Sequence, residues 1–157
     1  MRLSVRKGFS FGLTSGTITT LGLIVGLHSS TGSNIAVIGG VFIIALADAL
    51  SDAFGVHISE EAENKHTNQE IWESTLVTFG SKFFFALTFI IPLLIFSLNI
   101  AIIVSIIWGF LLITIFSCYI AKLQKKTAPK IVTEHLIIAT IVIILTHYIG
   151  EWIAIIF

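Results

Sequence analysis

The chain has 157 residues, of which 55% are apolar and only 11% are charged, and its formal net charge is zero. A soluble domain carries about 25% charged residues, so this chain lacks the charge to cover a globular surface. The composition predicts one membrane domain over residues 1–157 and gives no reason to expect a nucleic-acid partner. The single cysteine, Cys118, excludes an internal disulfide and a cysteine-rich metal site.

Five segments are long and apolar enough to cross a bilayer, which requires about 20 mainly apolar residues. They predict an all-α, polytopic fold with transmembrane helices over residues 9–28, 34–57, 75–98, 100–120 and 135–157. Residues 58–74 are predicted to form a short acidic cytoplasmic connection between the second and third helices.

The basic residues outside the predicted helix interiors lie on one side of this arrangement: Arg2, Arg6, Lys7, Lys65, Lys122, Lys125, Lys126 and Lys130. The two opposite loops contain no Lys or Arg. Because basic residues collect in cytoplasmic loops, this asymmetry predicts a cytoplasmic N-terminus and an outside or lumenal C-terminus. We expect a multi-pass protein of the plasma or inner membrane, or of a vacuole-like organelle.

The first helix is rich in small and hydroxyl-bearing residues. Gly12 and Gly16 are four apart, as are Gly22 and Gly26, and this spacing lets helices approach closely in a bilayer. Its hydroxyls either bond to their own helix backbone or line a polar path, and the sequence does not decide between these interpretations: Thr14, Ser15, Thr17, Thr19 and Thr20.

The second helix contains two aspartates, Asp48 and Asp52, within its apolar stretch. A carboxylate in hydrocarbon costs about 2.5–3.5 kcal/mol or more. Residues four apart share one helix face. If the helix continues into water, the same face carries a polar stripe: Gly55, Ser59, Glu63 and His66.

Acidic residues crowd the connection that follows, with only Lys65 positive among them. A solvated helix face is the simpler interpretation. The functional hypothesis is a cytoplasmic metal-collecting cluster, because carboxylates with imidazole suit Mn²⁺ or Fe²⁺. Its predicted members are Glu60, Glu63, His66, Glu70 and Glu73.

Lys82 in the third helix is the basic residue that can form a structural ion pair with these aspartates. At 1.5 Å per residue, Asp52 lies about 8 Å and Lys82 about 10 Å below the cytoplasmic surface, and Asp48 about 14 Å. These depths predict a Lys82–Asp52 pair and leave Asp48 without a partner. Asp48 is then protonated, bound to a cation, or both in turn, as a proton-coupled carrier requires.

The remaining elements carry weaker signals. Pro92 interrupts the third helix, and the loop LQKKTAPK is suited to anionic lipid headgroups. His147 and Glu151 are four apart in the last helix. They form either an interfacial anchor or an exit site for a proton or cation. The sequence contains no catalytic triad pattern, phosphate-binding glycine loop or H-E-x-x-H motif, so we expect no enzymatic activity.

Four stretches resemble the vacuolar iron transporter family over nearly the whole chain. SGTITTLGLIVGL is similar to its first-helix pattern D-G-x-x-T-x-L-x-x-x-x-G-L, and GGVFIIALADALSDAFGVHIS to its A-x-A-x-S-M-x-x-G-E-Y-x-S pattern. TFGSKFFFALTFIIPLLIF resembles the family's apolar run into a proline, and HYIGEWI its last span. The resemblance implies five spans, a cytoplasmic N-terminus, and a homodimer that moves Fe²⁺ and Mn²⁺ out of the cytosol in exchange for protons.

The match is that of a divergent member that lacks the cytoplasmic metal-binding domain. Small family residues are kept at Gly16, Ser51, Gly55 and Ser59. The family's first-helix aspartate corresponds here to Ser15, and its transport methionine corresponds to Asp52. The glutamate two turns before that methionine corresponds to Ile44. The glutamate and tyrosine of the G-E-Y motif correspond to Val56 and His57.

We therefore expect Asp48 and Asp52 to bind cation and proton in turn, assisted by Ser15, Thr19 and Ser51. The cargo is a divalent metal, Mn²⁺ or Fe²⁺, with no tightly bound cofactor, and the partners are membrane lipid and a second copy of the chain. A non-transporting membrane scaffold, with Lys82 in a structural ion pair, is the first alternative. A carrier of a different cation is the second.

Overall fold

The structure, a computed structural model, describes residues 2–157, which form helices and short turns without a strand. Six helices follow one another along the described chain: α1 Leu3–Thr31, α2 Asn34–Ala62, α3 Asn68–Thr88, α4 Ile90–Ile95, α5 Leu98–Gln124 and α6 Ala128–Ile156. Within residues 2–157, five segments are long and apolar enough to cross a membrane, with α3 and α4 together counting as one. The predicted all-helical class and number of spans are confirmed at this level.

The third span is broken at Phe89, between α3 and α4. Proline at position 92 has no N–H, and its ring clashes with the carbonyl four residues earlier, which is that of Thr88. The last residue of α3, Thr88, is therefore the one whose carbonyl oxygen can receive no hydrogen bond from Pro92. The sequence predicted Pro92 as an interruption within one helix, and the structure has two helices there.

The connection between α2 and α3 is shorter than the predicted 58–74. Helix α2 continues to Ala62, and α3 begins at Asn68. Asn64 adopts a left-handed backbone (φ 55°) that ends the path of α2. The predicted polar stripe is thus helical through Ser59, whereas His66 lies beyond the helix.

Thr67 begins α3 through a capping box. Its hydroxyl accepts a bond from the Glu70 N–H at 3.3 Å, and the Glu70 carboxylate accepts one from the Thr67 N–H at 2.9 Å. These bonds satisfy backbone N–H groups that have no carbonyl partner within the helix.

We expect Thr67→Ala to lower the free energy of unfolding by about 1 kcal/mol, because it removes this cap. Thermal unfolding in detergent measures the loss. Thr127→Ala is the matched control, since Thr127 is also an N-cap residue but its side chain makes no cap hydrogen bond. Equal destabilisation by both changes would contradict the assigned role of Thr67.

The chain divides into two compact units, the first of which combines the described residues through Thr20 with Val41–Ile90. Glycines of α1 lie directly against α3 here. A Cβ built on Gly8 would lie 2.5 Å from the Ser74 carbonyl oxygen, and one on Gly16 would lie 2.9 Å from the Lys82 carbonyl oxygen. The glycine spacing therefore brings the backbones of α1 and α3 together.

The second unit combines Leu21–Gly40 with Ile91–Phe157. In it, Gly22 and Gly26 lie against α6, where their nearest neighbours are Val142 and Thr146. Gly150 of α6 is equally close to α1, because a Cβ there would lie 2.5 Å from the Gly26 carbonyl oxygen. The predicted small-residue packing of the first helix is confirmed in each unit.

Candidate functional site

Four polar side chains from three helices of the first unit meet in one cluster. The Lys82 ammonium of α3 forms an ion pair with Asp52 and lies 2.6 Å from Asp48 Oδ2. It also donates to Ser15 Oγ of α1 at 2.9 Å, and Ser15 donates onward to Asp52 Oδ2 at 2.7 Å. We call Ser15, Asp48, Asp52 and Lys82 the aspartate–lysine cluster.

The expectation that Asp48 has no partner is wrong, because Lys82 contacts both aspartates. The depth count treated each side chain as a point at its own level. Successive helical turns are about 5.4 Å apart, which the four-carbon stem of lysine can bridge. The close contact at Gly16, where a Cβ would lie 3.1 Å from Lys82 Cγ, leaves room for that stem beside α1.

The cluster is closed on the lysine side and open on the aspartate side. The Lys82 side chain is 2% exposed, whereas those of Asp48 and Asp52 are 28% and 24% exposed. Two carboxylates and one ammonium carry one net negative charge when all three are ionised. Because an uncompensated charge is costly in an apolar span, this arrangement favours one more positive charge beside the aspartates.

The sequence left open whether the hydroxyls of α1 bond to their own helix backbone or line a polar path, and the structure shows examples of backbone bonding and one hydroxyl in the cluster. Thr14, Thr17 and Thr19 donate to backbone carbonyls one turn earlier, at 2.7–2.8 Å. Ser15 alone among these four joins the aspartate–lysine cluster. Thr19, a predicted site residue, therefore stabilises its own helix backbone and does not contact the aspartates. Ser51 lies exposed on α2, between the two aspartates in sequence.

The predicted metal-collecting residues separate into three groups. His66 Nε2 lies 3.1 Å from Glu60 and 3.4 Å from Glu63, and Glu60 also accepts a bond from Lys7 at 3.0 Å. Glu70 belongs to the cap of α3. Glu73 pairs with Arg2 and accepts from Ser4.

These residues are dispersed because their carboxylates have different partners: His66 in the turn after α2, the N-cap residue Thr67, or residues at the start of α1. Within residues 2–157, no group of three or more His, Cys, Asp or Glu side chains is arranged to hold a metal ion. Residues Glu60, Glu63 and His66 are the part of the predicted cluster that the structure brings together.

Two histidine contacts were not predicted. His57 Nδ1 lies 3.0 Å from the Thr75 hydroxyl, with its ring edge-on to Trp72. His147 of α6 joins two partners in the second unit, Ser29 Oγ at 2.7 Å from Nδ1 and Glu151 Oε1 at 3.4 Å from Nε2. The i,i+4 spacing signalled the Glu151 contact, but no sequence feature identified Ser29.

Ser29 belongs to the last turn of α1, where backbone carbonyls lack helical partners. The contacts of His147 therefore join this end of α1 to α6 within the second unit.

Compared with known proteins, the chain matches no family model, no curated protein and no solved structure.

Proposed function

We propose that the chain is a cation carrier that moves a divalent metal, Mn²⁺ or Fe²⁺, out of the cytosol in exchange for protons. The transported ion binds at Asp48 and Asp52, and protons take its place when it leaves. The resemblance to vacuolar iron transporters, which rests on sequence motifs, suggests the cargo and the antiport. The net negative charge of the aspartate–lysine cluster is the observation that carries the proposal.

The charge balance of the cluster supports binding of a proton and a metal cation in turn. One proton neutralises the net negative charge of the cluster. A divalent cation balances the two aspartates when it takes the place of the Lys82 ammonium beside them. Hard carboxylate oxygens suit Mn²⁺ and Fe²⁺ more than softer metals. The exposed flank of the two aspartates supplies an entry path, and Ser15 supplies a further oxygen.

A homodimer completes this proposal. Within the 18-residue apolar stretch of α2, only 22% is buried by the rest of the chain, although α2 carries both aspartates. A second copy that covers this face would shield the carboxylates from lipid and place the path between two protomers. The cytoplasmic orientation of the N-terminus, inferred from the basic loops, gives the proposed direction of export.

Mn²⁺ uptake into proteoliposomes with an imposed pH gradient tests the proposal. We expect Asp48→Asn to lower the initial rate about tenfold or more, because it removes a charged ligand while keeping the side-chain shape. Glu61→Gln is the matched control, since Glu61 is exposed and lies outside the cluster. A rate for Asp48→Asn equal to that of the parent would show that the proposed mechanism is wrong.

A second candidate function is a non-transporting membrane scaffold. It is favoured by the nearly complete burial of Lys82 and by its contacts to both aspartates and Ser15, which tie α1, α2 and α3 together. A scaffold predicts no pH-driven uptake of any ion. A competition panel of Mn²⁺, Fe²⁺ and other cations in the same liposomes separates it from a carrier with a different cargo.

A further inference from the structure

A basic cavity lies at the turn between α5 and α6, in the second unit. Its volume is about 520 Å³, and its polar lining includes Lys125, Lys126, Lys130 and Glu134. Gln124 and Thr127 add neutral polar groups to the wall. Cavities that hold small ligands have volumes of about 300–1,000 Å³, so this one is large enough for a small ligand or a lipid headgroup.

The cavity carries excess positive charge. Three lysines face one glutamate in its lining, which leaves two net positive charges with histidine neutral. Among residues 2–157, none of these three lysines forms an ion pair with a carboxylate, whereas Lys7 and Lys82 do. The lysine charges are therefore available to an anion from outside the chain.

The local backbone holds these lysines in place. Lys125 caps α5 in the left-handed conformation (φ 53°), where glycine is the usual residue because a Cβ is unfavourable there. Its N–H and that of Lys126 bond back to carbonyls of the last turn of α5. Thr127 begins α6 without a side-chain cap, so the free N–H groups at this helix start add to the positive field.

His135 lines the cavity and is held by α5. Its Nδ1 lies 2.8 Å from Ser117 Oγ, and the Ser117 hydroxyl also lies 2.6 Å from the Ile113 carbonyl oxygen. The His135–Ser117 contact joins α6 to α5 beside the lysines and gives the cavity a defined wall.

We propose that this cavity binds a phosphate group, supplied by an anionic phospholipid headgroup or by soluble phosphate. Lysine ammonium groups are common phosphate-binding groups. The cavity lies where two candidate spans end, which is the level of lipid headgroups when those helices cross a bilayer. The site shares no residue with the aspartate–lysine cluster, and the proposal does not depend on transport.

Native mass spectrometry of the full-length protein in detergent tests the site, with phosphatidylglycerol as the probe and phosphatidylcholine as the neutral comparison. We expect preferential retention of phosphatidylglycerol. The triple change Lys125→Gln, Lys126→Gln and Lys130→Gln should weaken it about 100-fold, since each lysine near a membrane surface contributes about 1 kcal/mol. If the triple variant does not fold, Lys126→Gln alone should weaken binding about fivefold by the same estimate.

The matched control removes three positive charges from the same predicted side of the protein but outside the cavity: Arg6→Gln, Lys7→Gln and Lys65→Gln. It should retain phosphatidylglycerol within about threefold of the parent, because none of these residues lines the cavity and salt screens general surface charge. Equal loss in both triple variants, unchanged binding in the cavity variant, or equal retention of phosphatidylcholine would overturn the proposal.

Competition by inorganic phosphate identifies the source of the group. Displacement of phosphatidylglycerol at millimolar phosphate assigns the site to soluble phosphate, and retention of the lipid assigns it to the headgroup. Either result supports a phosphate site, and the variants decide whether the cavity forms it.

Discussion

Replacing Lys82 by methionine is expected to lower the free energy of unfolding by about 3–5 kcal/mol, the largest change we predict for one residue. Methionine keeps most of the volume of the lysine stem, so little packing is lost. The loss comes from Asp48 and Asp52, which would be left as neighbouring carboxylates without a cation. Thermal unfolding of the purified protein in detergent, at one fixed pH, measures the effect.

Removing the orphaned charges should recover most of that stability. In the variant Lys82→Met, Asp48→Asn and Asp52→Asn, the cluster has no charge left to compensate, and neutral replacements of buried ion pairs are often tolerated. Lys122→Met serves as the control for loss of a lysine at an exposed position, where a change of at most about 0.5 kcal/mol is expected.

The pattern across these variants separates two roles of Lys82. If the single change costs little, the ammonium does not stabilise the aspartates, and the ion pairs are of minor importance. If the triple variant remains as unstable as the single one, lost packing of the lysine stem beside Gly16 accounts for the effect instead. Transport by the triple variant is expected to be absent under the proposed function, although its fold is retained.

Hydropathy was sufficient to predict the helical class and the number of apolar spans, because each span is a continuous run that needs no partner to be recognised. Helix ends were less accurate. The second and third helices extend to Ala62 and back to Asn68 because a turn at Asn64 and a cap at Thr67 define those ends locally. Such polar caps lie outside the apolar run, so hydropathy does not register them.

The two aspartates that the sequence singled out both lie on α2, and both contact Lys82. The pair of Lys82 with Asp52 was predicted from the sequence, whereas the contact of Lys82 with Asp48 is a finding of the structure. A depth count along separate helices cannot show how far a flexible lysine reaches. The acidic residues after α2 were grouped by sequence proximity, whereas their actual partners, such as Arg2 for Glu73, lie far away in the chain.

The orientation of the chain, its cargo and its dimeric state remain predictions of the sequence. The basic-residue asymmetry is a statistical property of loops, and neither packing nor hydrogen bonding within one chain depends on it. The charge balance of the aspartate–lysine cluster gives the transport hypothesis a physical basis independent of the family resemblance. It favours uptake of positive charge without selecting the ion.

Replacing Gly12 by alanine is expected to destabilise the protein by about 1–3 kcal/mol, the usual range for overpacking a tight contact. The new Cβ would lie 2.6 Å from the Thr78 carbonyl oxygen and close to the Ser81 hydroxyl. A backbone oxygen within α3 cannot step aside as a flexible side chain can. The two helices must therefore separate, which outweighs the gain in helix propensity of about 0.5–1 kcal/mol from glycine to alanine.

Gly80→Ala is the matched control, because a Cβ at Gly80 of α3 meets nothing within 4 Å. It should leave the melting temperature unchanged or raise it slightly, through the same gain in helix propensity. Similar destabilisation by both changes would contradict close packing of α1 on α3. Since Ser15 lies one turn beyond Gly12, separation of these helices should also lengthen its contact with Lys82. Gly12→Ala, but not Gly80→Ala, is then expected to slow Mn²⁺ uptake, which connects the glycine packing of α1 to the geometry of the proposed cation site.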